Sequence, residues 1–378
     1  MKVLITGANG FVGKNLQLRL KERKDVEVLC FTRENSASEL AALLQGVGFV
    51  FHLAGVNRPQ DPQEFVSGNA DLSHALCAAL AAMAASGRAI PVIYSSSTQA
   101  ANGNPNGNPY GLSKRAAELA LFNLQAQSGV PVHVFRLPNV FGKWCKPNYN
   151  SAVATFCHNI ARDLPIQIHD PAAPMTLVYV DDVVERFIEL MDGADAAADS
   201  GGFETITPQY TTRVGELADQ IMAFKRSRSS LITERVGTGW VRALYSTYVS
   251  YLPTESFRYQ VPQHGDARGM FVEMLKTPDC GQFSYFTAHP GVTRGGHYHH
   301  SKTEKFLVIK GQARFQFRHM HTGESYELAT CGDKAEIVET VPGWTHDITN
   351  IGHDEMVVML WANEVFDRAQ PDTYACPL

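Results

Sequence analysis

The first twenty residues restrict the fold more than any other stretch. Val3-Leu4-Ile5 is a short apolar run, Gly7-Ala8-Asn9-Gly10-Phe11-Val12-Gly13 is a turn with three glycines, and Val12 to Leu20 has the apolar period of a helix. Strand, glycine turn and helix in immediate succession open an α/β sheet that holds a dinucleotide. The glycines let the backbone turn tightly and approach a pyrophosphate, which sits where free helix N–H groups and the dipole favour anions. Further apolar runs (Val26 to Phe31, Val47 to Leu53, Ile90 to Tyr94, Val132 to Phe135, Leu177 to Val180) alternate with helical stretches such as Asp71 to Ala85 and Ser113 to Ala126. That alternation predicts a Rossmann-type, doubly wound parallel sheet.

The pattern does not last. Nine of the fourteen histidines lie between His264 and His353, where the apolar runs become short and β-rich with Gly and Pro between them: Gln282 to Ala288, Lys305 to Ile309, Ala313 to Arg318, Glu336 to Thr340 and Met356 to Ala362. This predicts an all-β barrel or sandwich. A chain of 378 residues exceeds one ordinary core. The expected division is residues 1–243, an aromatic-rich packed connector at 244–262, and residues 263–378. A net charge of -5, with no long basic run, argues against nucleic acid and against an anionic membrane surface, and leaves a small molecule as the expected ligand. Seven scattered cysteines without a C-x-x-C spacing fit a reducing cytoplasm better than a disulfide framework. The chain begins directly on its first strand, so no signal peptide is expected, and no apolar run reaches the length of a membrane span.

Cofactor choice is read at the end of the second strand. A basic side chain there accommodates the 2′-phosphate of NADP, whereas an acidic one bonds the ribose hydroxyl of NAD. The strand runs out into Thr32-Arg33, so NADP(H) is expected, with a solvated surface arginine as the plain alternative and Glu34 as its neighbour. Tyr110 and Lys114, four residues apart, face the same way from a helix start. A phenol is a poor acid–base group at neutral pH until a nearby ammonium favours its anion, and Lys114 is placed to do so. Ahead of them Ile93-Tyr94-Ser95-Ser96-Ser97 would present hydroxyls at the carboxyl edge of the sheet.

The second half carries ligand-type side chains. His297 and His299 fall on one face of a strand because side chains alternate. Glu304 and His346 complete a set of three imidazoles and one carboxylate, suited to a divalent metal: zinc, or manganese, iron or nickel. The bland alternative is polar filling of a barrel face.

These motifs support a resemblance. Residues 1 to about 243 resemble the extended short-chain dehydrogenase/reductases that act on nucleotide sugars, through the glycine turn, His52-Leu53-Ala54-Gly55, the serine cluster, Asn108-Pro109-Tyr110-Gly111-Leu112-Ser113-Lys114 and Arg136-Leu137-Pro138-Asn139-Val140-Phe141-Gly142. The resemblance implies Ser97 as the catalytic hydroxyl, Tyr110 as the acid–base group and Lys114 as its modulator and ribose ligand. It also implies a cofactor site of Gly7, Asn9, Gly10, Phe11, Val12, Gly13, Arg33, Leu53, Ala54, Gly55, Tyr110, Lys114 and Leu137, with Asn139 toward substrate. The family's usual Val-Tyr-Gly after the serines is replaced by Ala100-Ala101-Asn102-Gly103. Residues 264 to 378 resemble the cupins, all-β jelly-roll barrels, through Gly291, His297-Tyr298-His299, Glu304 and Gly311, then Pro342-Gly343, His346 and Asn350. Within the cupins, His264 to Phe271 and Thr293 to Tyr298 are similar to sugar-nucleotide 3,5-epimerases. Those enzymes use as base the histidine that here is His297, which the metal motif already claims. The candidate acid–base groups are therefore His300, Lys302 and Asp347, and Lys143, Lys146 and Arg294 are candidates for a diphosphate.

Taken whole, the chain resembles the bifunctional epimerase/reductases of UDP-N-acetyl-L-fucosamine biosynthesis, which feed bacterial capsule and O-antigen assembly. The resemblance implies C3 inversion of a UDP-linked 2-acetamido-2,6-dideoxy-4-hexulose in the cupin, C4 reduction with NADPH in the reductase, and a homodimer. Two rivals stay open: a single-site reductase whose cupin binds sugar or builds a dimer, and a redox-sensing or binding protein that holds NADP as a ligand.

Overall fold

A computed structural model describes the chain except residues 60, 62, 102–107, 197–200, 267–268, 273, 276, 278–280, 365–366 and 368. Asn102 and Gly103, Ala267 and Arg268 within the stretch His264 to Phe271, and Cys280 among the seven cysteines lie outside the described residues. Two compact units emerge: residues 1–140 with 176–211, and residues 141–175 with 212–378. The chain therefore crosses between units three times rather than once near 243.

The first unit is a six-stranded sheet. Its strands are β1 (Lys2–Thr6), β2 (Glu27–Phe31), β3 (Val47–His52), β4 (Val92–Ser97), β5 (Val132–Leu137) and β6 (Phe203–Glu204), in the order β2-β1-β3-β4-β5-β6 with every pair parallel. Such strands are covered on both faces, so Val3, Leu4, Ile5, Val50, Phe51, Val92 and Ile93 are all but inaccessible. Helices α1 (Phe11–Lys21), α2 (Leu72–Ala85), α3 (Pro109–Ser128) and α4 (Val180–Met191) supply the cover. Leu76 and Leu80 of α2 meet Leu121 and Leu124 of α3 in one apolar cluster over β1, β3, β4 and β5, where Leu80→Ala would cost about 2–5 kcal/mol. Phe187 of α4 packs on Phe51 and Phe135, with ring centroids 6.4 and 5.0 Å away.

Strand order reverses at β1, which pairs with β2 on one side and β3 on the other. Ligands bind outside the carboxyl ends of strands at such a switch point. One sequence expectation fails here. Leu177 to Val180 was expected to be a strand of this sheet; the strand is Pro174–Tyr179, it belongs to a separate three-stranded sheet, and Val180 already starts α4. Two acidic residues, Asp181 and Asp182, in the first turn favour a helix start there.

In the second unit three helices, Ala152–Ala161, Val214–Ser230 and Gly239–Ser250, pack on one another. The expected connector begins inside the last of them, whose Ala243 to Val249 are buried. The barrel strands are β7 (Arg258–Gln260), β8 (Gln263–Asp266), β9 (Gly269–Val272), β10 (Gln282–Ala288), β11 (Thr293–Tyr298), β12 (Glu304–Lys310), β13 (Gln312–His319), β14 (Ser325–Cys331), β15 (Glu336–Glu339), β16 (Trp344–Asn350), β17 (Met356–Ala362) and β18 (Tyr374–Ala375). They form two antiparallel sheets, β7-β15-β12-β17-β10 and β14-β13-β16-β11-β18, with β8 and β9 as a separate hairpin. Phe306 of the first sheet meets Phe315 and His346 of the second, so the inner faces share one core. These two sheets form the all-β, cupin-type barrel expected for the C-terminal half. The six described cysteines, Cys30, Cys77, Cys145, Cys157, Cys331 and Cys376, are free thiols.

Candidate active site and metal centre

The glycine turn and the loop after β3 meet at the switch point. Gly7 adopts φ +69°, and a Cβ there would lie 2.6 Å from the Ala54 nitrogen and 2.8 Å from the Leu53 carbonyl carbon. A Cβ on Gly13 would lie 2.5 Å from the Gly7 oxygen, so the helix start is pressed against the turn. Gly10 caps α1 with no side-chain hydrogen bond, which leaves backbone N–H groups for an anion beside Asn9, Phe11 and Val12. Arg33 is exposed just past β2, where Asn35 accepts from the Thr32 N–H at 2.9 Å and shapes the turn.

Ser97, Tyr110 and Lys114 come together at the carboxyl end of β4. Asn108 caps α3 by accepting from the Gly111 N–H at 2.7 Å, and Pro109 stands in the first turn, which sets the direction in which Tyr110 and Lys114 project. Lys114 is 4% exposed and donates to the Ser95 carbonyl at 2.8 Å. Its ammonium lies 4.9 Å from the Tyr94 ring centroid. Burial brings Lys114 down to about 8, against the pull of the Glu118 carboxylate. Burial pushes the Tyr110 phenol above its ordinary value, and a hydrogen bond from the Ser97 hydroxyl opposes that rise. Gly55 belongs here too, since a Cβ on it would stand 2.9 Å from the Lys114 ammonium. Leu137 is buried opposite Ser97 in the register of β4 and β5.

In the barrel His297, His299, Glu304 and His346 bring one ligand atom each to within 4.8 Å of one another. His299 Nδ1 lies 2.6 Å from the Asp372 carbonyl, which can only accept, so the proton is on Nδ1 and Nε2 presents a lone pair. That lone pair faces the Glu304 carboxylate oxygen at 3.1 Å, and His346 Nε2 lies 3.6 Å from the same oxygen. Acceptors pointed at one another in a buried place need a cation between them, a proton or a metal ion. Both ring nitrogens of His346 are buried without a hydrogen bond. Burial first, and then the neighbouring His346 and His299, lower His297 to about 3, so it is a neutral imidazole ready to ligate. Three imidazoles, one carboxylate and a hydrogen-bonded distal nitrogen fit a divalent metal.

The remaining expected residues scatter. Asn139 is exposed and donates to the Thr176 carbonyl at 3.1 Å. Lys143, a candidate for a diphosphate, is 1% exposed. Lys146 is exposed, 5.2 Å from the Tyr149 ring centroid. Arg294 is exposed, donates to the Thr287 carbonyl at 3.0 Å and covers the Phe286 ring. His300 does not join the cluster: its ring packs edge-on against Tyr298 and Tyr374. Asp347 follows His346 within one strand, where alternation turns it to the other face, and burial pushes its carboxyl up. Lys302 does approach: its ammonium is 3.9 Å from a Glu304 oxygen and donates to Thr373 Oγ1 at 2.6 Å.

Glu118, Asn69 and Asp372 escaped the sequence reading, and His52 entered it only as part of a motif. Glu118 accepts from Ser96 Oγ at 2.5 Å and from Arg136 at 3.0 and 2.7 Å, fixing the strand end that carries Ser97. Its place one turn beyond Lys114 was a readable signal. Asn69 holds Ser113 and the Val56 backbone, and His52 joins Thr6 to Ser73. Asp372 lies 73 positions from His299, and nothing in its neighbourhood of the sequence marks it.

Comparison with known proteins agrees with both halves. Residues 3–204 match the NAD dependent epimerase/dehydratase family, and residues 264–374 match the polysaccharide biosynthesis C-terminal domain. The UDP-2-acetamido-2,6-beta-L-arabino-hexul-4-ose reductase of Pseudomonas aeruginosa is 65% identical over 376 residues, a match covering 100% of this chain and 98% of that one. The crystal structure of the capsular polysaccharide assembling protein CapF from Staphylococcus aureus is 40% identical, with a TM-score of 0.66 and full coverage of both chains. A CapF structure with the inhibitor 3-isopropenyl-tropolone is 37% identical, with a TM-score of 0.62 and again full coverage. The chain thus belongs to the NAD dependent epimerase/dehydratase family, in the group that joins this domain to a polysaccharide biosynthesis C-terminal domain and includes the Pseudomonas reductase and CapF.

Proposed function

We propose that the chain is a bifunctional nucleotide-sugar enzyme. Its barrel inverts C3 of a UDP-2-acetamido-2,6-dideoxy-4-hexulose, and its parallel-sheet domain reduces the C4 ketone with NADPH. The product is UDP-N-acetyl-6-deoxy-L-talosamine, a precursor of UDP-N-acetyl-L-fucosamine. One observation carries this reading: a Ser-Tyr-Lys arrangement and a buried three-imidazole, one-carboxylate cluster occur in one chain, along the full length of a relative named as a reductase of a UDP-linked 4-ketose.

A C–H bond beside a ketone is acidic because its carbanion delocalises into an enolate, so a base that removes the C3 proton allows its return on the other face. A divalent ion, zinc first among the candidates, held by His297, His299, Glu304 and His346, would polarise the carbonyl and stabilise that enolate. Of the candidate acid–base groups His300, Lys302 and Asp347, Lys302 is the one whose charged end reaches this cluster. The adjacent carbonyl and hydroxyl oxygens of a tropolone form a chelating pair, so the CapF inhibitor is in keeping with a metal here. In the other domain Tyr110 gives its proton to the C4 oxygen as hydride reaches C4. Ser97 donates to the same oxygen, and the Lys114 ammonium favours the phenolate left behind. Arg33 takes the 2′-phosphate. The reading includes a cytoplasmic homodimer. Among the described residues no helix is long and apolar enough to cross a membrane, and β10 stands at a sheet edge with Phe283 and Tyr285 exposed.

A second reading has its own support: the Pseudomonas relative is named only as a reductase of a UDP-linked L-arabino-hexul-4-ose, with no epimerase activity in its name. There the barrel binds sugar and does no chemistry. The two separate when the 4-keto sugar is incubated with protein in deuterated water without NADPH. Deuterium at C3 that disappears in a His297→Ala/His299→Ala variant supports the bifunctional enzyme. Equal labelling with and without protein, together with NADPH oxidation on pre-inverted ketose, leaves the single-site reductase.

A further inference from the structure

The last strand of the barrel is tied to the metal-type cluster more tightly than a terminal strand requires. β18 pairs antiparallel with β11, placing Ala375 beside His297 and Tyr374 beside Tyr298, and the Cys376 N–H donates to the Gly296 carbonyl at 2.7 Å. Two residues before this pairing, Asp372 does two separate things. Its carbonyl takes the Nδ1 proton of His299, and its carboxylate accepts from the backbone N–H groups of His300, Ser301 and Lys302 at 2.9, 2.9 and 2.7 Å, as well as from Ser301 Oγ at 3.1 Å. Three successive amides converging on one carboxylate make a backbone nest. That nest is the loop joining His299 to Glu304, so one side chain fixes the path between two of the four ligand groups. Asp372 holds φ +35°, a backbone conformation that residues with a side chain keep only when surrounding contacts determine it. Arg242 stands 3.9 Å from the same carboxylate.

We infer that Asp372 is a positioning residue for the metal centre: the C-terminal segment Pro371–Cys376 selects the His299 tautomer and sets the loop to Glu304. The inference rests on the metal reading of the cluster given above. Groups behind the ligands that hold them in place, when removed, weaken metal binding by about 10- to 100-fold, and Asp372→Ala removes the carboxylate that sets the loop while keeping the carbonyl that bonds His299.

Zinc affinity, measured on the full-length protein by competition with a chromophoric chelator, and the visible absorption of the cobalt-substituted protein test it. Asp372→Ala is expected to weaken zinc by roughly 10- to 100-fold and to shift the cobalt spectrum. Asp372→Asn keeps one acceptor oxygen and is expected to fall in between. Arg318→Ala loosens the chain end at Pro377 without touching Asp372 and is expected to keep the wild-type zinc affinity. If wild-type protein takes up neither zinc nor cobalt, the metal reading itself falls. If wild type binds zinc and a folded Asp372→Ala binds it within about twofold as well, only the positioning role is overturned. Should Asp372→Ala fail to fold, an Asp372→Asn protein with the wild-type affinity and spectrum overturns it equally.

Discussion

Lowering the pH should loosen the first unit through one imidazole. His52 is 1% exposed, with Nδ1 2.7 Å from Thr6 Oγ1 and Nε2 2.8 Å from Ser73 Oγ. Ser73 spends its own proton on the Asn69 carbonyl, so its oxygen accepts from His52, which places the proton on Nε2 and leaves Nδ1 to accept from Thr6. Burial first, and the Lys114 charge second, lower His52 from 6.5 to about 3. The folded state therefore stays unprotonated where the unfolded chain binds a proton. The stabilisation is complete above about pH 6.5 and is lost progressively as pH falls toward 3. Between about pH 7 and pH 5 the loss from this site is roughly 2 kcal/mol, about a 25-fold rise in the open population. Hydrogen exchange of peptides spanning β1 and β3, corrected for intrinsic exchange rates, reads that population locally and needs no two-state unfolding of the whole chain. His52→Gln should remove the pH-dependent increment. Equal pH dependence in wild type and variant would refute the argument.

Tyr110→Phe should lower ketone reduction by about 10²- to 10⁴-fold, with NADPH binding nearly unchanged by cofactor fluorescence. Gly7→Ala forces a Cβ to 2.6 Å from the Ala54 nitrogen at φ +69°, and NADPH affinity should drop about tenfold or more in a titration, while zinc uptake by the barrel is kept. Arg33→Ala should raise KM for NADPH by about tenfold and leave NADH kinetics alone, since only the 2′-phosphate loses a charge-assisted contact. A matched change for both cofactors would make Arg33 an ordinary surface residue.

The local chemistry was legible where it is written in contiguous residues. The strand-turn-helix at Gly7 to Gly13, the Tyr110 and Lys114 pair, and the alternation of His297 and His299 each depend on spacing that a strand or helix period fixes. The five barrel strands expected at 282–288, 305–309, 313–318, 336–340 and 356–362 fall within a residue of their observed bounds. What was not legible is set by distance along the chain. Asp372 reaches His299 only after β18 folds back beside β11, and the contact of the His300 ring with Tyr374 depends on the same fold-back. The division near 243 followed a change in composition, whereas the compact units follow packing, and helix Gly239–Ser250 joins the barrel side through Tyr245, which donates to Glu339 at 3.3 Å.

The threefold crossing of the chain sets an order of assembly. The first 140 residues hold five of the six parallel strands, but Phe187, which covers Phe51 and Phe135, and the edge strand Phe203–Glu204 arrive only after 35 residues destined for the other unit. A nascent chain paused near residue 140 would present those two rings to solvent. A gene cut at any single point would leave at least one fragment lacking part of its own core.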